Sequence, residues 1–178
     1  MVKHEKWEAA KPELPGIKAP RLKAQFCEYA DRLISEWFRR QALAKPTRRA
    51  ESANAWFKRE AYRLLKHLIE GGAKHVFQLV VRADNRSTRL VEEALKNPFK
   101  LGLLAMFADE SGLSKGDRHV FGNQMLYAWS HDVPPEFLNA FLAISGGPAL
   151  IAKKLKEGFV EPGFEHRHLA DRLGPRTE

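Results

Sequence analysis

The chain is poor in cysteine, in long apolar runs and in strand-like alternation, and each shortage removes a class of protein. Cys27 is its single cysteine, so neither an intrachain disulfide nor a cysteine zinc cluster can form. No apolar stretch approaches the roughly 20 residues that a membrane-spanning helix needs. The N-terminus, MVKHEKWEAAKPELPG, has no apolar core and does not read as a secretory signal. The expectation from these absences is a cytoplasmic protein that makes no membrane contact.

Catalytic and cofactor motifs are missing too. Gly71-Gly72-Ala73-Lys74 and Ser114-Lys115-Gly116 have neither the spacing nor the preceding strand of a phosphate-binding P-loop. His119 and the pair His131-Asp132 have no nucleophile in a recognisable setting. Arg63-Leu64-Leu65-Lys66-His67 is one residue short of the Arg…His spacing found in helical ribonuclease folds. Near the C-terminus, Glu165-His166-Arg167-His168 and Asp171 offer metal-competent side chains. Two histidines at i and i+2 do not share a helix face, however, and Arg167 between them opposes a cation. Cys27, beside Phe26, reads as a small packed residue. We expect no enzyme, no cofactor and no bound metal.

What remains is a helical protein of ordinary apolar content. Its 178 residues, 44% hydrophobic and 29% charged, suit one domain with a continuous core. Residues 1–20 hold Pro12, Pro15 and Pro20 without periodicity and read as an extended arm, with Trp7 free to pack back on the domain. Leu22, Phe26, Ala30, Leu33, Ile34 and Trp37 recur at helical spacing, and that helix should stop near Ala44 because Pro46 disfavours helical geometry before it. A second helix, capped by Ser52 or Asn54 and ended by Gly71-Gly72, carries Phe57, Ala61, Leu64, Leu65 and Leu68 on its apolar stripe.

The β-branched run His75–Val81 has no partner strand anywhere in the sequence. A lone strand would leave its backbone groups unpaired, so the run is read as helix from about Ala73 to Ala83. A shorter helix follows through Leu90, Val91, Ala94 and Leu95. Asn97-Pro98 starts another, expected to continue through Ala108 to Gly112. Ser114 with Asp117 opens the next, Asp132-Val133-Pro134-Pro135 introduces one ending at Gly146-Gly147, and Pro148–Glu157 forms the last. Residues 158–178 read as a polar tail with at most a turn or two around Leu169. The sequence therefore predicts an all-α, single-domain bundle over 21–157, built of about seven or eight short helices and led by a basic helical hairpin.

That hairpin holds the most informative pattern. Residues 1–100 contain 22 Lys and Arg against 12 Asp and Glu, whereas the whole chain nets +8. Trp37-Phe38-Arg39-Arg40-Gln41-Ala42-Leu43 is nearly repeated as Trp56-Phe57-Lys58-Arg59-Glu60-Ala61-Tyr62, with the basic turn Lys45-Pro46-Thr47-Arg48-Arg49 between the copies. Cations along a line suit phosphates, and interleaved aromatics suit base stacking. The expected nucleic-acid contacts are Arg39, Arg40, Lys45, Arg48, Arg49, Lys58, Arg59, Arg63 and Lys66. Trp56 falls beside Glu60 and Arg63, off the leucine stripe, and is expected to be partly exposed as a stacking platform; Trp37 lies on the stripe and is expected in the core.

A second, weaker pattern spans Phe107 to Phe121, where Ala108, Gly112 and Leu113-Ser114 resemble the turn of a helix-turn-helix. It would place Lys115, Arg118 and His119 at the exposed start of a recognition helix. Arg118 stands where that motif wants a buried aliphatic, and Asp109, Glu110 and Asp117 make the stretch acidic. The function expected overall is non-enzymatic nucleic-acid binding, DNA ahead of RNA, with a homodimer or larger nucleoprotein complex compatible. The rival expectation is a helical adaptor or inhibitor that turns the same cations toward an acidic protein, or uses Val133–Ile144 as a partner surface.

Overall fold

Caps and stops written into the sequence set most helix ends in the computed structural model, which describes residues 19–43, 51–84, 88–107 and 112–164. Pro20 sits in the first turn of α1 (Ala19–Ala42), where its missing N–H costs nothing. Ser52 caps α2 (Ala53–Glu70) by accepting from the Ala55 N–H, and Gly72, at φ +73°, turns the chain out of it. The β-branched run is helical, as α3 (His75–Ala83); α4 (Thr88–Leu95) follows. Asn97 caps α5 (Pro98–Met106) through both the Phe99 and Lys100 N–H groups. Ser114 caps α6 (Lys115–Ser130), with Asp117 in its first turn. A 3-10 turn over Pro135–Phe137 leads into α7 (Leu138–Ser145), and Gly146-Gly147-Pro148 separates it from α8 (Pro148–Glu157).

The domain is all-α, with eight α-helices among the described residues. Its centre is α5, which touches α1, α2, α3, α4 and α6. Every residue of α5 except Lys100 is buried, so the helix has no solvent face and shows no useful amphipathic stripe. Gly102 lets it approach α2: a Cβ there would collide with the side chain of Leu65. The α1–α2 hairpin packs through its aromatic copies. Trp37 of the first stacks on Phe57 of the second at 4.4 Å between ring centroids, and Trp37 Nε1 donates to Asn54 Oδ1 across the hairpin.

Two helix ends differ from expectation. α1 stops at Ala42, two residues early. The helix expected to reach Gly112 ends at Met106, because Phe107 takes extended backbone and turns its ring edge-on to Trp37 and Phe57. Burying that ring in the aromatic cluster outweighs one more helical turn. The expectations for residues 1–18, including Trp7, and for the turn around Leu169 lie outside the described residues. Residues 158–164 pack against the bundle through Glu161 and Phe164.

Candidate nucleic-acid interface

The hairpin brings its cations to two different settings. On α2 they face inward or sideways, because that helix is flanked by α1, α5, α6, α7 and the 3-10 turn. Arg59 bridges Glu51 at 3.1 Å and the buried Glu60 at 3.0 Å. Arg63 reaches Glu60 at 3.7 Å and Glu136 of the 3-10 turn at 3.1 Å. Lys66 donates to the Val133 carbonyl at 3.2 Å and lies 3.7 Å from Glu70. Tyr62 donates to the same carbonyl at 2.9 Å. Together these side chains fasten the segment before α7 onto α2.

Lys58 turns toward α6 instead. Its Nζ donates to Gln124 Oε1 at 3.2 Å and lies 5.3 Å from the centroid of the Phe121 ring. Burial holds its ammonium below the ordinary lysine value, since the charged form loses hydration there. Four of the expected phosphate contacts on α2 are thus engaged within the fold.

Arg39 and Arg40 occupy the last turn of α1, Arg39 exposed and Arg40 half-buried. Both reach back to Glu36, Arg39 through Nε and Nη2 and Arg40 through Nε, each at 2.7 Å. The Arg39 side chain is 50% exposed and that of Arg40 33%, against 28% for Arg59, 24% for Arg63 and 14% for Lys66. Arg39 is thus the most open of the five, and Arg40 is only slightly more open than the α2 arginines. The Arg39 hydrogen bond leads the forces that lower the Glu36 carboxyl below its ordinary value, outweighing partial burial. Lys45, Arg48 and Arg49 follow in the connection and lie outside the described residues.

Trp56 departs from expectation. It is 3% exposed, and the Arg40 guanidinium lies over its ring at 4.3 Å. A helix with neighbours on so many sides has no fully polar face on which a tryptophan could stand out. The aromatic that does stand out is Phe38, 45% exposed, stacked on Trp37 at 5.3 Å and adjacent in sequence to Arg39. Its position one residue off the Leu33–Trp37 stripe was the available signal.

The second pattern is also corrected in part. Lys115 and His119 are exposed at the start of α6, but Arg118 is buried. His119 Nε2 pairs with Asn123 Nδ2 at 3.2 Å, and Lys115 lies 3.9 Å from Glu93 of α4. Burial on the α6 face against α5 takes Arg118 away from any exposed recognition surface.

Elsewhere, burial, with the Asp31 charge second, pushes the Cys27 thiol up. Among the described residues no three His, Cys, Asp or Glu side chains are grouped to hold a metal ion. No described helix is long and apolar enough to cross a membrane. Comparison with known proteins returns no match, whether to family models, to curated proteins or to solved structures.

Proposed function

We propose that the protein binds the phosphate backbone of nucleic acid, without catalysis, through the end of the α1–α2 hairpin at which the chain passes from one helix to the other. The observation that carries this reading is the exposed pair Phe38-Arg39, with the half-buried Arg40 beside it, at the end of α1, immediately before a connection whose sequence adds Lys45, Arg48 and Arg49. Arg40 uses one N–H on Glu36 and Arg39 two, and a guanidinium has five donors in all. Both therefore keep donors for a phosphate oxygen. Phe38 offers a ring face on which an unpaired base can stack, worth about 1–3 kcal/mol per base.

Phosphate contact of this kind reads little sequence and weakens steeply with salt. Fluorescence anisotropy with labelled single- and double-stranded DNA and RNA, at about 50 to 200 mM salt, tests it. The expected result is binding that falls with salt and largely disappears when Arg39, Arg40, Arg48 and Arg49 are all changed to Gln. Absence of binding at the lowest salt ends this reading.

A second reading, contact with another protein, is favoured by an apolar edge along the last helices. Phe137 is 62% exposed, Ile144 77% and Leu150 46%, so these residues stand outside the core that Leu138, Phe141 and Leu142 complete. A self-associating chain would present two basic hairpins to one duplex. Sedimentation of the wild type and of an Ile144→Lys variant separates the two readings. A monomer in both cases that binds nucleic acid favours the first reading, and a monomer that binds only another protein favours the second.

A further inference from the structure

A cavity of about 240 Å³ opens between α4, α5 and the first turns of α6, away from the hairpin. Cations from three separate elements line it: Lys96 just after α4, Lys100 on α5, and Lys115 on α6. The buried guanidinium of Arg118 and the imidazole of His119 add to the same wall. Among the described residues Glu93 is the lining carboxylate, and it is divided between Arg89 at 3.5 Å and Lys115 at 3.9 Å. Such exposed pairs hold their charges weakly.

Lys100 is positioned by packing. Its stem crosses α6 at Gly122, where a Cβ would collide with Lys100 Cγ. Asn97 fixes the same crossing: it caps α5 through the Phe99 and Lys100 N–H groups and donates Nδ2 to the Gly122 carbonyl at 3.1 Å. Among the described residues Lys96 and Lys100 make no ion pair. Burial keeps the Lys100 ammonium below its ordinary value, and burial together with that ammonium does the same to His119, each against the Glu93 charge. The Lys100 ammonium thus opposes charging of His119 at this opening, and an anion arriving there would relieve that opposition.

We propose that this cavity binds a small phosphate monoester, with Lys96, Lys100 and Lys115 meeting the phosphate and Leu90, Ala94 and Leu104 receiving an apolar body. Lysines approaching from α5, from α6 and from the turn after α4 fit the several oxygens of a tetrahedral phosphate better than the two of a carboxylate. The apolar part of the lining, which comes from α4 and α5, gives the ester an advantage over the free ion. The proposal is independent of nucleic-acid binding by the hairpin.

The test follows the His119 imidazole resonances by NMR at fixed ionic strength in chloride, with inorganic phosphate, phenyl phosphate and phenol as probes. Both phosphates are expected to give saturable shifts and to raise the pH at which His119 titrates. Phenyl phosphate should bind several-fold tighter than phosphate, and phenol should leave His119 unmoved. Lys100→Gln with Lys115→Gln should weaken the phosphates roughly tenfold or more, equal to the loss of about 1.4 kcal/mol, at an unchanged unfolding temperature. Lys153→Gln, an exposed change on α8, should bind like the wild type. Shifts that stay linear beyond about 10 mM, or that survive the double substitution, overturn the site. Equal affinity for phosphate and phenyl phosphate overturns the ester and leaves free phosphate as the ligand.

Discussion

The backbone N–H of Glu161 donates to Nε2 of His131 at 3.0 Å, so a buried imidazole ties the chain beyond α8 to the end of α6. Its other nitrogen, Nδ1, lies 2.7 Å from the Tyr127 carbonyl. A carbonyl can only accept, so Nδ1 carries the proton and Nε2 is bare: the ring is neutral and its tautomer is set by its partners. Tyr127 OH and Lys154 Nζ both donate to Glu161 Oε1, at 3.0 and 2.6 Å, and Phe164 closes edge-on over His131.

This clasp should loosen in acid. Burial, countered by the Tyr127 carbonyl, holds His131 below its ordinary value of 6.5. The unfolded chain then binds more protons than the folded one as pH falls below that value, and stability falls with it. Glu161 contributes further down. Burial would raise its carboxyl, but Lys154 and Tyr127 overcome this and hold it below 4.5; its contribution is present above that pH and is lost as pH falls through the folded value. Urea unfolding between pH 8 and 4 should show a midpoint that begins to drop near pH 6.5. In a His131→Phe variant that first step should shrink to the part that His119, also held below 6.5, contributes, whatever the variant's overall stability.

Lys154 is the cation that lets Glu161 stay charged at 11% side-chain exposure. Its Nζ also donates to the Ser145 carbonyl at 2.9 Å, joining the end of α7 to the clasp. Lys154→Met keeps the stem and removes both charge-assisted bonds. Each such bond contributes about 1.5–3 kcal/mol, so the variant should unfold several degrees lower. Calorimetry that finds no change would mean the clasp contributes little to the fold.

Asn97 should be among the most sensitive polar residues. It satisfies two N–H groups of α5 and the Gly122 carbonyl of α6 at once. Asn97→Ala is expected to cost about 2 kcal/mol or more, from the lost cap and the carbonyl left buried. Asn97→Ser restores the cap acceptor but does not reach Gly122, and should recover part of the loss. Equal stability of the two variants in denaturant would show that capping contributes nothing at this site.

Gly102 is a packing requirement rather than a turn. Gly102→Ala would press a methyl group into Leu65, which is fully buried, and overpacking of this kind costs about 1–3 kcal/mol. A second change, Leu65→Val, should recover part of the loss by shortening the side chain that blocks it. Unfolding midpoints of the two single variants and the double give the coupling directly.

The two groups of hairpin arginines should separate by assay. Arg63→Gln breaks contact with Glu60 and Glu136 and should lower stability by about 1 kcal/mol with little effect on the salt slope of nucleic-acid binding. Arg39→Gln with Arg40→Gln should alter stability by no more than about 0.5 kcal/mol each while reducing that slope by about 2. The opposite pattern in thermal melts and anisotropy would move the interface from the end of α1 to the side of α2.

The sequence by itself determined where the helices begin and end wherever the instruction is local. Asn97-Pro98, Ser114 with Asp117, and Gly146-Gly147-Pro148 act within about four residues, because a cap or stop satisfies backbone groups of its own first or last turn. It also determined the class of the fold, since a single β-branched run with no partner had to be helical to pair its backbone. What only the tertiary structure decided is which charged and aromatic side chains remain available. Glu136, 73 residues from Arg63, and Gln124, 66 from Lys58, draw α2 cations inward. Burial hides Trp56 and Arg118 while leaving Phe38 exposed, and Lys96, Lys100 and Lys115 meet at one cavity because three helices converge there. Availability depends on what packs against a residue, and those neighbours come from elements distant in the chain.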